Sequence, residues 1–298
     1  MQHRNEESRE GRSACGRLPA AQRSDVKMNF FSALNEAARR NDSLVCAGLD
    51  PDLAKLPECV RNMPEPLFEF NRAIIDATKA FVCCYKPQAA YYAGQSRDGE
   101  LKKTIEYIHE NAPGIPVILD VKRGDIGSTA NMYAKEVFER YEADAVTVNP
   151  YMGYDTLKPF LDRAEKGVFI LCRTSNPNSG DLQNLVSGGK PLFQHVAELV
   201  RDRWNTNGNA GIVVGATYPE ELKMLRELCP ELPFLVPGVG AQGGDVEKVV
   251  KFGCTAGKAG IAVNSSRGII HAGNGPDFAE KAGEAAKKLR DLINSFRK

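Results

Sequence analysis

Eight short apolar runs, rich in β-branched residues, recur along this chain, and stretches of helical period lie between most of them. The runs cover residues 43–49, 81–86, 115–121, 145–149, 168–173, 211–216, 233–238 and 259–264. Near-continuous apolar character means that each strand is covered on both faces, as in parallel sheets. The helical patterns include LFEFNRAIIDATKAF, ANMYAKEVFERYEA, LFQHVAELVRDRW and YPEELKMLRELC. Two architectures satisfy such an alternation: an open doubly wound sheet and a closed (β/α)8 barrel. The open sheet usually carries G-x-G-x-x-G after its first strand, whereas the first run here leads into AGLDPD. The pattern therefore predicts an α/β protein, a single-domain (β/α)8 TIM barrel over residues 28–298. That length is one that a single core can serve.

Residues 1–27 read differently. They lack periodicity, are rich in Arg, Glu and Ser, and contain no apolar signal-peptide core. We read them as a disordered leader ahead of the helical pattern MNFFSALNEAARR. Basic and acidic side chains number 39 and 38, so no general attraction to nucleic acid or anionic membrane is expected. No apolar run reaches membrane-spanning length. The 8 cysteines form no C-x-x-C pair, and with 4 histidines there is no zinc-type spacing. Cys46, Cys83, Cys84 and Cys172 lie inside apolar runs, where a thiol behaves as a small hydrophobe. Reduced thiols in a cytoplasmic protein are the expectation.

A barrel draws its catalytic side chains from the carboxyl ends of its strands. Here those ends carry Asp50, Lys86, then Asp120-Val121-Lys122 with Asp125 just beyond. Asp120 and Lys122 stand two apart, so regular alternation turns both to one side. A surface ion pair is the bland reading and is worth little. At the end of a buried strand, however, charges must be desolvated and paired, which favours a functional reading. After the seventh run, PGVGAQGGD places 4 glycines where barrels most often bind phosphate. Arg267, after the eighth run, can clamp the same anion.

With LDVKRGDIGST, YKP (85–87), AGLDPD (47–52), RTSNP (173–177) and PGVGAQGGD in this order, the chain resembles the orotidine 5′-phosphate decarboxylase family in its longer bacterial form. The resemblance implies decarboxylation of orotidine 5′-phosphate to uridine 5′-phosphate without metal or organic cofactor. Lys86, Asp120, Lys122 and Asp125 match the family's charged array, with Lys122 as carbanion stabiliser and proton donor. The resemblance also implies a homodimer in which Asp125, Ile126 and Thr129 enter the partner's site. Asp50 matches the ribose ligand and Ser175 the ring ligand. Pro237 and Gln242 belong to the phosphate loop, and Gln242 and Arg267 hold the phosphate. The long stretch 174–193 is expected to be a lid or decorated loop, which leaves Gln183 open as a second contact to the base.

Two other functions fit the same strand ends. A related sugar-phosphate decarboxylase or synthase barrel would share Asp-x-Lys-x-x-Asp but bind magnesium through added carboxylates, where this chain has Lys86. A barrel that binds nucleotide without turnover is the third. His109, His195, His271, Trp204, Tyr91 and Tyr92 are read as packing or surface groups. The basic amphipathic carboxyl-terminal stretch is read as a helix covering the barrel.

Overall fold

The computed structural model describes residues 29–239 and 244–297. The leader 1–27, Met28 and Gln242 lie outside these residues. Eight parallel strands form the predicted barrel: β1 Val45–Leu49, β2 Cys84–Pro87, β3 Ile118–Arg123, β4 Ala145–Val148, β5 Gly167–Arg173, β6 Ala210–Val214, β7 Phe234–Pro237 and β8 Ile261–Ser265. Their order is β2-β1-β8-β7-β6-β5-β4-β3. Parallel bridges Tyr85–Val117 and Gln88–Asp120 bring β2 beside β3 and nearly close the ring. All strand carboxyl ends thus share one rim, which makes a site from residues far apart in sequence.

β1, β4 and β6 are buried along their whole length, as their unbroken apolar character requires. At the opposite end of the barrel lies the helix Phe30–Arg40, whose cap is Asn29: its side chain accepts from Ser32 N at 2.9 Å. The helix turns Phe30 and Phe31 edge-on to Phe169 of β5, with ring centroids 5.9 and 5.5 Å away. Gly167 makes this possible, because a Cβ there would lie 2.2 Å from Phe30 Cδ1. Burying one such ring contributes about 1.5–3 kcal/mol. The carboxyl-terminal helix Phe278–Phe296 covers the barrel as expected. It approaches the helix Pro66–Thr78 closely at Gly283, where a Cβ would stand 2.8 Å from the Ala77 carbonyl oxygen.

Three local features differ from the pattern-based expectation. β3 runs on to Arg123, two residues beyond the apolar run, because the charged segment stays paired with β4. The helical patterns at 130–143 and 192–204 end in π-helical turns, Glu136–Arg140 and Val200–Trp204. The stretch after β5 holds a short helix, Gly180–Gln183, and an antiparallel hairpin pairing Val186–Ser187 with Lys190–Pro191.

Candidate active site

Asp120 is the centre of the charged cluster. Its Oδ2 accepts from Lys86 Nζ at 2.8 Å, and its Oδ1 accepts from Lys122 Nζ at 2.6 Å and from the Thr147 hydroxyl at 2.8 Å. Lys86 and Asp120 are 4% and 6% exposed, whereas the Lys122 side chain is 44% exposed. Lys122 is therefore the member of the array that can meet a ligand. Burial alone would lower the Lys86 pKa, but the charges of Asp120 and Asp50 outweigh it and hold the ammonium above its ordinary value. For Asp120 burial alone would raise the pKa; the charges of Lys86 and Lys122 win and hold the carboxyl below the usual carboxylate range. The buried Lys86–Asp120 pair is thus held ionised, with the Lys122 side chain as its exposed arm.

Simple strand alternation does not produce this convergence. Leu119 pairs with Val146 and Arg123 with Val148, so Asp120, Val121 and Lys122 all face the single residue Thr147. The surplus forms a bulge in which Lys122 adopts φ +48°, a left-handed conformation uncommon for a side chain with a Cβ. The bulge separates two adjacent cations. Lys122 turns to Asp120, while Arg123 donates to Glu136 at 2.9 Å and lies over the Tyr133 ring.

Beside the array, Asp50 follows β1 with a buried Oδ1 that has no hydrogen-bond partner among the described residues. Ser266, after β8, has an equally unpartnered buried hydroxyl. Gly48 allows its approach, since a Cβ there would sit 2.6 Å from Ser266 Cβ. Unpaired buried polar groups cost about 1–3 kcal/mol each, so two at one rim are acceptors and donors suited to a polar ligand. At the end of β7, Pro237 pairs with Asn264 of β8, three positions before Arg267. Gly238 adopts φ +98°, and Gly244 N donates to its carbonyl oxygen at 3.2 Å. Arg267 is exposed at the start of a four-residue helix and forms no ion pair among the described residues. Gln242 lies outside the described residues.

Comparison with known proteins gives this geometry its family. Residues 43–282 match the sequence model of the Orotidine 5'-phosphate decarboxylase / HUMPS family. The chain belongs to this family. It is 54% identical to an Orotidine 5'-phosphate decarboxylase of Ralstonia pickettii over 270 residues, which cover 91% of this chain and 100% of that protein. A second protein of that name, from Azoarcus sp., is also 54% identical over the same shares. Among solved structures, the Leishmania donovani OMP decarboxylase superposes with TM-score 0.78 at 39% identity, covering 91% of this chain and 99% of that one. A putative orotidine-monophosphate-decarboxylase from Toxoplasma gondii gives 0.82 at 37% identity, covering 91% and 98%.

The remaining positions drawn from the family resemblance divide into two groups. Ser175 lies beside Gly215, where a Cβ would stand 2.9 Å from its Cβ, and its carbonyl oxygen accepts from Thr217 Oγ1 at 3.5 Å. Asp125, in contrast, is not part of the array within this chain: its Oδ1 accepts from the neighbouring Ile126 N at 2.8 Å. Ile126 is 61% exposed, Thr129 is exposed, and Met132 and Tyr151 add exposed apolar surface. The alternation of four charges therefore stops at three in the single chain.

Gln183, left open as a contact to the base, is an internal brace. It accepts from Thr174 N at 2.9 Å and Arg173 Nη1 at 3.1 Å, and donates to Thr174 Oγ1 at 2.8 Å. Sequence reasoning missed Arg173 as a buried hub that also pairs with Glu221 and Ser179 and stacks over Tyr218. A charge ending an apolar run was its only signal. The three described histidines make their contacts with groups other than the array. His195 bonds the Ser187 carbonyl at 2.8 Å, His271 stacks on Phe70, and His109 pairs with Asp144 at 3.0 Å. Trp204 stacks on Tyr154 and Tyr92 is fully buried, as packing groups do; Tyr91 stays partly exposed.

Proposed function

We propose that this chain is a decarboxylase that converts orotidine 5′-phosphate to uridine 5′-phosphate and carbon dioxide in de novo pyrimidine biosynthesis. The observation that carries the reading is the Lys86–Asp120–Lys122 array at the strand ends of a chain that is 54% identical, over 91% of its length, to a decarboxylase of that name. The reaction leaves the electron pair of the broken C–C bond on pyrimidine C6. That carbanion has no attached electron sink, so nearby charge must stabilise it.

In this reading the Lys122 ammonium lies beside C6, stabilises the developing anion, and then transfers its proton there. Asp120 aims Lys122 through its 2.6 Å contact, and Lys86 keeps Asp120 ionised. Asp50 takes the ribose hydroxyls, Ser175 the ring, and Pro237, Gln242 and Arg267 surround the phosphate. Binding of that remote dianion orients the ring over Lys122. Disappearance of orotidylate absorbance tests the activity directly. Turnover unaffected by EDTA is expected; turnover lost with EDTA and restored by magnesium would instead favour the sugar-phosphate branch, and binding without turnover a sensor.

The proposal includes a homodimer in the cytoplasm, with Asp125, Ile126 and Thr129 completing the partner's site. Two facts support it: the Asp125 carboxylate does not join its own array, and apolar Ile126 lies exposed beside it. No described helix is long and apolar enough to cross a membrane, and the described cysteines are free thiols. Mixing inactive Lys122→Ala and Asp125→Ala chains should restore activity, because a mixed dimer regains one complete site, about a quarter of the parent value after statistical exchange. Absence of recovery after demonstrated subunit exchange would remove the shared site.

A further inference from the structure

The bulge in β3 needs something to hold it. Three residues, Asp120 to Lys122, face one residue of β4, and Lys122 carries φ +48°. Both surplus amides turn to the same atom: Val121 N and Lys122 N each donate to Thr147 Oγ1 at 3.1 Å. The hydroxyl in turn donates its proton to Asp120 Oδ1 at 2.8 Å. A hydroxyl offers one donor and two acceptor sites, so all of Thr147's capacity is used. Thr147 is 1% exposed, which leaves no water to take its place.

We propose that Thr147 is a positioning residue: its hydroxyl holds the left-handed turn of β3 and one oxygen of Asp120 together, and so aims the Lys122 ammonium. The inference rests on the reading of Lys122 as the group that meets C6. Two constraints meet in one atom. The amide bonds set the backbone from which the Lys122 side chain leaves, and the carboxylate bond sets the anion to which its Nζ points. Losing either lets the ammonium drift relative to a fixed ligand. A misplacement of about 1 Å in a reacting group can lower the rate by about a hundredfold. Aliphatic β-branched residues would suit this strand position equally well by packing alone. The hydroxyl is explained only by the bulge it fills.

The test compares Thr147→Val, which keeps the shape and removes the acceptor, with Thr147→Ser, which keeps the hydroxyl. In the Val variant kcat should fall about 10–100-fold while KM and the affinity for uridine 5′-phosphate stay within about threefold. The Ser variant should recover at least about a third of the parent kcat. Should the Val chain fail to fold, Thr147→Ala is read by the same criteria. The proposal is overturned if a folded Val or Ala variant keeps the parent kcat, if nucleotide affinity weakens in step with kcat, or if the Ser variant is as slow as Val. Lys122→Ala runs alongside. An active Lys122→Ala enzyme would overturn the reading of Lys122 itself; an inactive one beside a normal Val variant would overturn only the role of Thr147.

Discussion

Replacing Lys122 with Ala is expected to reduce kcat by about 10⁴-fold or more while uridine 5′-phosphate still binds within about tenfold of the parent. Two contributions vanish together: proton donation, typically worth about 10²–10⁴, and a cation beside the developing charge, worth about 10²–10³. The fold should tolerate the change. Lys122 is the exposed arm of the array, and Asp120 keeps Lys86 at 2.8 Å and Thr147 at 2.8 Å after its removal. The ligands proposed for ribose and phosphate, Asp50 and Arg267, are on other strand ends and stay in place. Stopped-flow turnover and calorimetric product binding separate the two quantities. Near-normal turnover would strip Lys122 of its role.

Asp120→Ala should damage both stability and chemistry. Lys86 is nearly fully buried, and Asp120 is the carboxylate that pairs with it. Breaking a buried pair by deleting one partner costs about 3–5 kcal/mol, because the surviving charge stays desolvated. For a domain of this size that corresponds to a fall in Tm of roughly 10 °C. The loss should depend on pH. Asp120 has a depressed folded pKa, so its contribution is complete above the unfolded carboxylate value of about 3.9 and disappears as pH falls through the folded value. Lys86 has a raised folded pKa, so its contribution is complete below the unfolded value of about 10.4 and is lost as pH rises through the folded one. The gap in Tm between parent and variant should therefore be widest at neutral pH and narrow in strong acid. A gap that stays unchanged at pH values well below about 3.9, where both proteins remain folded, would contradict the pairing. Without its anion Lys122 is also unaimed, and kcat should fall by at least about 10³-fold.

The chain's architecture was largely legible because the information was local. Apolar runs at regular intervals make parallel strands, and a barrel then gathers Asp50, Lys86, Asp120 and Arg267 at one rim whatever their separation. Registry was less accessible. Asp120 and Lys122 do meet, but through a bulge rather than the regular alternation expected: nothing local shows that three residues face Thr147 or that Lys122 is left-handed. Long-range polar pairing was equally hidden. Arg173 and Glu221 stand 48 positions apart, and Gln183 acquires its bracing role only when the chain after β5 folds back on Thr174. Asp125 illustrates a third kind of limit, since a residue proposed to act in a neighbouring subunit has no place in the geometry of one chain.

In the proposed mechanism the Lys122 ammonium makes a C6 carbanion accessible and delivers its proton. By microscopic reversibility the same group must remove a proton from C6 of the bound product. Uridine 5′-phosphate held in D₂O with the enzyme should therefore exchange its C6 hydrogen for deuterium, followed by proton NMR, well above the rate in buffer alone. The Lys122→Ala protein, saturated with the same nucleotide, should show no such acceleration. Exchange at the parent rate by the alanine variant would contradict the account.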